Sequence, residues 1–151
     1  MKKRVATIIL NRNLGTITNN LYKKIYKYNK KYTDIFVIDS GSDVKKKSKY
    51  TTWSANWKKA KQNGLRFSRG MNYGLLKMYQ ENTFKNYEYF LLLTNDSEVE
   101  SKPFIKELVN IMNKVKSIAI LSPCSKKWGE KVLLKEKKLK FFWYIHNNAY
   151  F

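Results

Sequence analysis

The chain has 151 residues, 43% hydrophobic and 15% aromatic, enough for one domain with a real core and too apolar for a disordered chain. Its 31 basic and 11 acidic residues give a formal charge of +20, which suits nucleic acid, an anionic membrane surface or a phosphorylated ligand. Only Arg4, Arg12, Arg66 and Arg69 are arginines. Arginine is the preferred residue for bidentate phosphate and base recognition, so the lysine excess reads as compositional drift and nucleic acid is not the expected partner. Cys124 and His146 are each single, which excludes a disulfide within the chain and a zinc site built from Cys and His alone. With no run of about 18 apolar residues to span a membrane, the expected location is a reducing cytoplasm, at the inner face of a membrane if the chain associates with one.

Val5 to Leu10 is a β-branched apolar run and reads as a buried first strand, not as a secretory leader. Asn11, Arg12, Asn13 and Gly15 follow as a loop. Ile17, Leu21, Ile25 and Tyr28 then fall at helical spacing, with Thr16 or Thr18 as the expected cap. Ile35 to Ile38 is a second buried strand that exits into Asp39, Ser40, Gly41, Ser42 and Asp43. Strand, helix, strand is a βαβ unit, which implies parallel strands and a right-handed crossover.

Lys45 to Gln62 interleaves seven lysines with Tyr50, Trp53 and Trp57. This pattern predicts an edge strand near Tyr50 to Trp53 and a solvated loop whose tryptophans pack on the domain. A loop carrying Arg66 and Arg69 leads into a helix near Asn72, with Met71, Leu75, Met78 and Tyr79 at helical spacing. Tyr89 to Leu93 is an unbroken apolar run, the pattern of a central strand buried on both faces, and it ends abruptly at Thr94, Asn95, Asp96, Ser97 and Glu98. Phe104, Leu108, Ile111, Met112 and Val115 predict an amphipathic helix with Pro103 in its first turn. Ile118 to Leu121 predicts one more strand. Val132 to Leu134 and Phe141 to Ile145 are strand-like clusters in a tail without a closing element.

Three strand exits are therefore polar in the same sense: Asn11 to Asn13, Asp39 to Asp43, and Thr94 to Glu98. In a parallel sheet they share one edge and line one crevice. A carboxylate there accepts hydrogen bonds from a base or ribose, or binds a hard cation beside a diphosphate. Each is equally suited to a turn or helix-cap role.

At these residues the chain resembles the family-2 glycosyltransferases of GT-A fold. Their opening strand followed by an asparagine is similar to VATIILNRN, with Asn13 at the matching place. Their acidic residue, x, Gly, Ser motif is similar to Asp39, Ser40, Gly41, Ser42. Their Asn-x-Gly stretch, Arg and second Asn-x-Gly are similar to Asn63, Gly64, Arg69, Gly70, Asn72 and Gly74. Their Asp-x-Asp motif is similar to Thr94, Asn95, Asp96, where Thr94 replaces the usual Asp or Asn and leaves Asp96, helped by Glu98, as the metal residue.

The resemblance implies a Rossmann-like α/β fold with a mostly parallel sheet flanked by helices. The implied activity is transfer of a sugar, with inversion, from a nucleotide-diphosphate sugar to an acceptor hydroxyl, assisted by Mn²⁺ or Mg²⁺. The nucleotide-sugar-binding residues would be Asn11, Asn13, Asp39, Gly41, Ser42, Arg69, Asn72, Thr94 and Asn95, and the metal residue Asp96. Asp39 would hold the base at a solvated edge, Asn13 would line the nucleoside pocket, and Arg69 would meet the diphosphate. The family's acceptor-binding half has no counterpart here, so the chain reads as a donor-binding half, incomplete at its C-terminal end. The acceptor, whether glycan, lipid-linked molecule or protein, is not specified by these residues.

Two other readings compete. The Lys45 to Lys61 stretch with Trp53 and Trp57 has the composition of a stacking platform for single-stranded nucleic acid. The KEKKLKFFWYI segment has the basic and aromatic content of a peripheral membrane contact. Dinucleotide-binding and P-loop classes lack their glycine-rich phosphate loops in this chain.

Overall fold

The computed structural model describes residues 4–122 and 149–151. Its sheet has the strand order β3-β2-β1-β4-β5, from β1 (Val5–Asn11), β2 (Thr33–Asp39), β3 (Trp53–Ser54), β4 (Tyr89–Thr94) and β5 (Ala149–Tyr150). The first four are mutually parallel, and β5 pairs antiparallel with β4. The helices are α1 (Gly15–Asn29), α2 (Lys58–Asn63), α3 (Phe67–Gln80) and α4 (Phe104–Lys114). The chain is thus an α/β fold with a mostly parallel sheet flanked by helices, as expected, and its strand order is compatible with a Rossmann-like arrangement.

Chain direction explains the layering. From β1 through β3 successive strands step one way across the sheet, and from β3 to β4 the chain doubles back to the far side of β1. Right-handed crossovers that step in opposite directions place their helices on opposite faces. Accordingly Leu21 and Ile25 of α1 pack on Val5, Ile9, Val37, Leu91 and Leu93, and Ile105 and Leu108 of α4, which does not join parallel strands, share that face. Met71 and Met78 of α3 pack on the other face, against Ala6, Ile8, Leu10 and Ile38. The strand alternation of β1 supplies both cores, which is why β1 is buried along its whole length.

Several details depart from the sequence expectations. The centre of the sheet is β1; in β4, Leu91 and Leu93 are buried and the intervening residues only partly so. The buried stripe of α1 is Thr18, Leu21, Ile25 and Asn29, while Ile17 is 46% exposed. Both polar members are buried because their hydrogen bonds are satisfied. Thr18 Oγ1 donates to Asn11 Oδ1 at 2.8 Å. Asn29 Oδ1 accepts from the Ile105 N–H at 3.1 Å, and its Nδ2 donates to the Lys102 carbonyl at 3.3 Å. Asn29 therefore caps α4 from a different helix, with Pro103 just outside the first turn. Neither Thr16 nor Thr18 caps α1, which is preceded by Leu14 without a side-chain cap.

Helix α3 begins at Phe67, so Arg69 lies in its first turn and not in a loop. Ile118 to Leu121 is not a strand; Leu121 instead exchanges backbone hydrogen bonds with Phe151, at 2.6 and 2.8 Å, while the place beside β4 is taken by β5. The expected edge strand shrinks to Trp53–Ser54. Among the described residues no helix is long and apolar enough to cross a membrane. Cys124, His146, Val132 to Leu134 and Phe141 to Ile145 lie outside the described residues.

Two contacts on the α3 face carry testable consequences. Gly70 and Gly74 lie one turn apart against the sheet; a Cβ at Gly70 would run into the Leu10 side chain, and one at Gly74 into Ile38 while standing 3.4 Å from Ile8 Cγ2. Gly74→Leu is expected to cost about 1–3 kcal/mol through overpacking, read as a lower denaturation midpoint in urea. On the same face the Tyr87 hydroxyl donates to Asp34 Oδ2 at 3.1 Å, and burial followed by the Asp34 charge pushes the phenol up to about 12. The folded state then holds this proton more tightly than the unfolded chain, whose tyrosines titrate near about 10. Its contribution to stability is full below that pH and is lost as pH rises through about 12. The pH dependence of the denaturation midpoint over this alkaline window should flatten in Tyr87→Phe.

Candidate functional site

The three polar strand exits meet at the C-terminal edge of the sheet, and they meet through Asn11. This side chain is fully buried at the end of β1. Its Nδ2 donates to Asp39 Oδ1 and to Ser42 Oγ, both at 3.3 Å. Its Oδ1 accepts from Thr18 at 2.8 Å and from Asn95 Nδ2 at 3.5 Å. One carboxamide thus joins the exits of β1, β2 and β4 and the first turns of α1. The Ser40 N–H also donates to the Asn11 carbonyl at 2.9 Å, which continues the pairing of β1 and β2 one residue past β2.

Asp39 is equally buried, with no exposed surface. Its Oδ2 accepts from the Ser42 N–H at 3.3 Å and lies 3.6 Å from Lys47 Nζ, whose side chain is 30% exposed. The expectation of a carboxylate at a solvated edge is therefore corrected. The acceptor positions of Asp39 are turned into the protein because they satisfy Asn11, Ser42 and Lys47. Lys47 also reaches Ser54 Oγ at 3.4 Å and Asn56 Oδ1 at 3.5 Å, tying the loop after β2 to the end of β3. Sequence reasoning assigned no role to Lys47, because nothing in the run Lys45 to Lys49 distinguishes one lysine from another.

The loop after β2 has two further supports. Ser42 Oγ accepts from the Asn13 N–H at 2.9 Å, and Asn13 Oδ1 accepts from the Asp43 N–H at the same distance. Asn13 has a left-handed backbone (φ 55°), which asparagine tolerates better than most residues. Gly41 (φ 81°) sits where any Cβ would meet the Ala60 carbonyl of α2. Glycine there permits the close approach of the two backbones.

The turn between α2 and α3 is fastened over the same edge. The Ser40 hydroxyl donates to the Leu65 carbonyl at 2.9 Å and accepts from the Leu65 N–H. Arg12 donates to the Gln62 carbonyl at 3.2 Å, and its guanidinium lies against Gly64. These latches bring the N-terminus of α3 to the strand exits, with Arg66 and Arg69 exposed. Asn72, one turn further on, is also exposed.

At the β4 exit, Thr94 Oγ1 and Ser97 Oγ are 3.1 Å apart. Asn95 turns inward to Asn11, while Asp96 is exposed. Among the described residues no three His, Cys, Asp or Glu side chains come together as a metal cage. The predicted residues thus separate into a buried set of Asn11, Asp39, Gly41 and Ser42, a half-buried set of Asn13, Thr94 and Asn95, and an exposed set of Arg69, Asn72 and Asp96. A cleft of about 460 Å³ opens beside the network, bounded by Asn13, the first turns of α1 and Lys45 to Lys47. That volume is within the range of small-molecule sites.

In the stretch read as a stacking platform, Trp53 lies flat on Phe36 (centroids 5.2 Å apart, 3° between planes) and its Nε1 donates to Glu81 at 2.7 Å. Trp57 meets Tyr73 edge-on at 5.5 Å and is 47% exposed. Trp53 thus serves the packing of the edge strand.

Burial changes the expected behaviour of Asp39→Ala. The Ser42 N–H and the Asn11 amide would lose their acceptor inside the protein, at about 1–3 kcal/mol for a stranded buried donor. The partly solvated Lys47 adds little. A lower urea midpoint is expected for Asp39→Ala, and a smaller loss for Asp39→Asn, which keeps an oxygen to accept from one of these donors.

A comparison with known proteins finds no matching family model, no matching curated protein and no matching solved structure.

Proposed function

We propose that the chain binds a nucleotide-diphosphate sugar at the C-terminal edge of β1, β2 and β4, as the donor-binding part of an inverting glycosyltransferase of GT-A type. The observation that supports the reading is that the strand exits and the turn leading into α3, with Arg66 and Arg69, are fastened together at one edge of the sheet. The crossovers reverse direction between β1 and β4. Open α/β sheets bind their ligands outside such a switch point. Asn11, fully buried, and Asn95, hydrogen-bonded to it, lie beneath this edge.

The division between buried and exposed residues gives each a role. Asn11, Asp39 and Ser42 form a rigid, internally satisfied base that holds the exits in register. Binding falls to the groups above it: Asn13 and the adjoining cleft for the nucleoside, and Arg66 and Arg69 at the positive end of α3 for the diphosphate. Asp96 is the carboxylate available to a cation. Mg²⁺ and Mn²⁺ sites of this kind use one or two carboxylates and complete their shell with substrate phosphate and water, so a single exposed aspartate fits the mode. A cation so held would neutralise charge on the departing diphosphate.

Calorimetric titration with a panel of nucleoside diphosphates, with and without Mn²⁺, tests the reading. At least one diphosphate should bind, and Arg69→Ala should weaken it by the roughly 1.5–3 kcal/mol of a charge-assisted hydrogen bond. Asp96→Asn should remove the Mn²⁺ dependence and spare the metal-free affinity. Absence of binding by every nucleoside diphosphate in both conditions overturns the proposal.

A further inference from the structure

The outward face of α1 is not used by the site and has an unusual makeup. Lys23, Lys24, Lys27, Lys30 and Lys31 lie on it or in the turn that follows, and the first acidic residue of the chain is Asp34. Four of the five are exposed and Lys24 is partly so. Among the described residues none of the five is in an ion pair. Five like charges within about three turns repel one another, and so much uncompensated charge on one helix face suits an anionic surface.

The margin of this face is aromatic. Tyr50, from the loop before β3, stacks on Tyr22 at 3.9 Å and 7°, and Tyr22 stacks in turn on Tyr26 at 6.2 Å and 9°. Lysine ammonium groups lie over the outer rings: Lys49 over Tyr50 at 5.2 Å, Lys30 over Tyr26 at 5.6 Å, and Lys27 over Tyr28 at 5.2 Å. The loop that brings Tyr50 is pinned to α1 by Asn19, whose Oδ1 accepts from Ser48 Oγ at 2.8 Å and from the Lys49 N–H at 3.1 Å. The ladder is therefore built into the fold.

The geometry points to an anionic lipid bilayer as the partner of this face. A single-stranded nucleic acid would need bare ring faces for its bases to stack on. Here the ring faces are taken by other rings and by lysines. A phosphate-rich duplex surface would favour arginine, and the face has none. What it offers is a helix about 22 Å long lying along the surface, with a row of mostly exposed lysines along it. Tyrosines at its margin, an amphipathic ring type enriched at the headgroup level of membranes, complete the match. The inference does not depend on the nucleotide reading of the C-terminal edge of the sheet.

Co-sedimentation of the full chain with vesicles of phosphatidylcholine alone, or of an equimolar mixture with phosphatidylglycerol, tests it. Binding is expected to the mixed vesicles only, and should vanish in about 1 M salt, where the Debye length falls to about 3 Å. The triple variant Lys23→Gln, Lys27→Gln, Lys30→Gln should bind about a hundredfold more weakly, at about fivefold per lysine near an anionic surface. The corresponding Lys→Arg triple should bind like the parent, as a check that charge and not folding is read. A control triple on α2, Lys58→Gln, Lys59→Gln, Lys61→Gln, should lose far less. Equal losses in the two Gln triples, or no binding by the parent chain, overturn the assignment. So does tighter binding of a single-stranded oligonucleotide that the α1 triple abolishes.

Discussion

The Asn11 carboxamide is the interaction on which the C-terminal edge of this sheet depends. A side-chain amide has two donors and an oxygen with two lone pairs, and this one uses donors toward Asp39 and Ser42 and its oxygen toward Thr18 and Asn95. Parallel strands are joined only by long crossovers, so nothing local aligns their C-terminal ends. A buried polar residue with partners on each neighbouring segment does. Because each lost partner would leave a buried group unsatisfied, the arrangement is held to one geometry.

The same economy recurs at a distance from the site. Asn29 leaves its own helix to cap α4, Ser40 makes a reciprocal pair with the backbone of Leu65, and Asn19 holds the loop that carries Tyr50. Polar side chains at the ends of elements fasten one segment to the next, while the two apolar layers on either side of β1 supply the bulk of the burial. The described side chains contain no buried polar atom without a partner. Specificity of the fold therefore comes from these fastenings as much as from core packing.

Charge is arranged to match this division. Asp39 and Lys47 compensate each other beneath the edge, and Arg66 and Arg69 stand exposed at the start of α3. The lysines of α1 point away on the opposite side of their helix from the core residues Leu21 and Ile25. A chain with a formal charge of +20 thus carries basic residues on helices packed against opposite faces of the sheet. In the reading proposed here, one helix meets a soluble phosphate ester and the other a membrane.

By itself the sequence determined the α/β class, the parallel β1–α1–β2 unit, the polar character of the three strand exits and their placement on one edge. Those features follow from short-range signals: apolar runs of strand length, helical spacing, and abrupt changes to oxygen-bearing residues. Only the tertiary structure decided which strand is central, since burial on both faces depends on what a strand lies between, and among the described residues β1 rather than β4 lies between two long neighbours. It also decided that Asp39 is buried and Asp96 exposed, although both follow apolar runs of similar length. That difference comes in large part from Asn11, a partner of Asp39 far away in the chain, and no local pattern encodes a hydrogen bond across 28 residues. The same reason hid Thr18 and Asn29 among the buried residues of α1: a polar side chain enters the core when its partner is waiting there, and that partner is supplied by another segment.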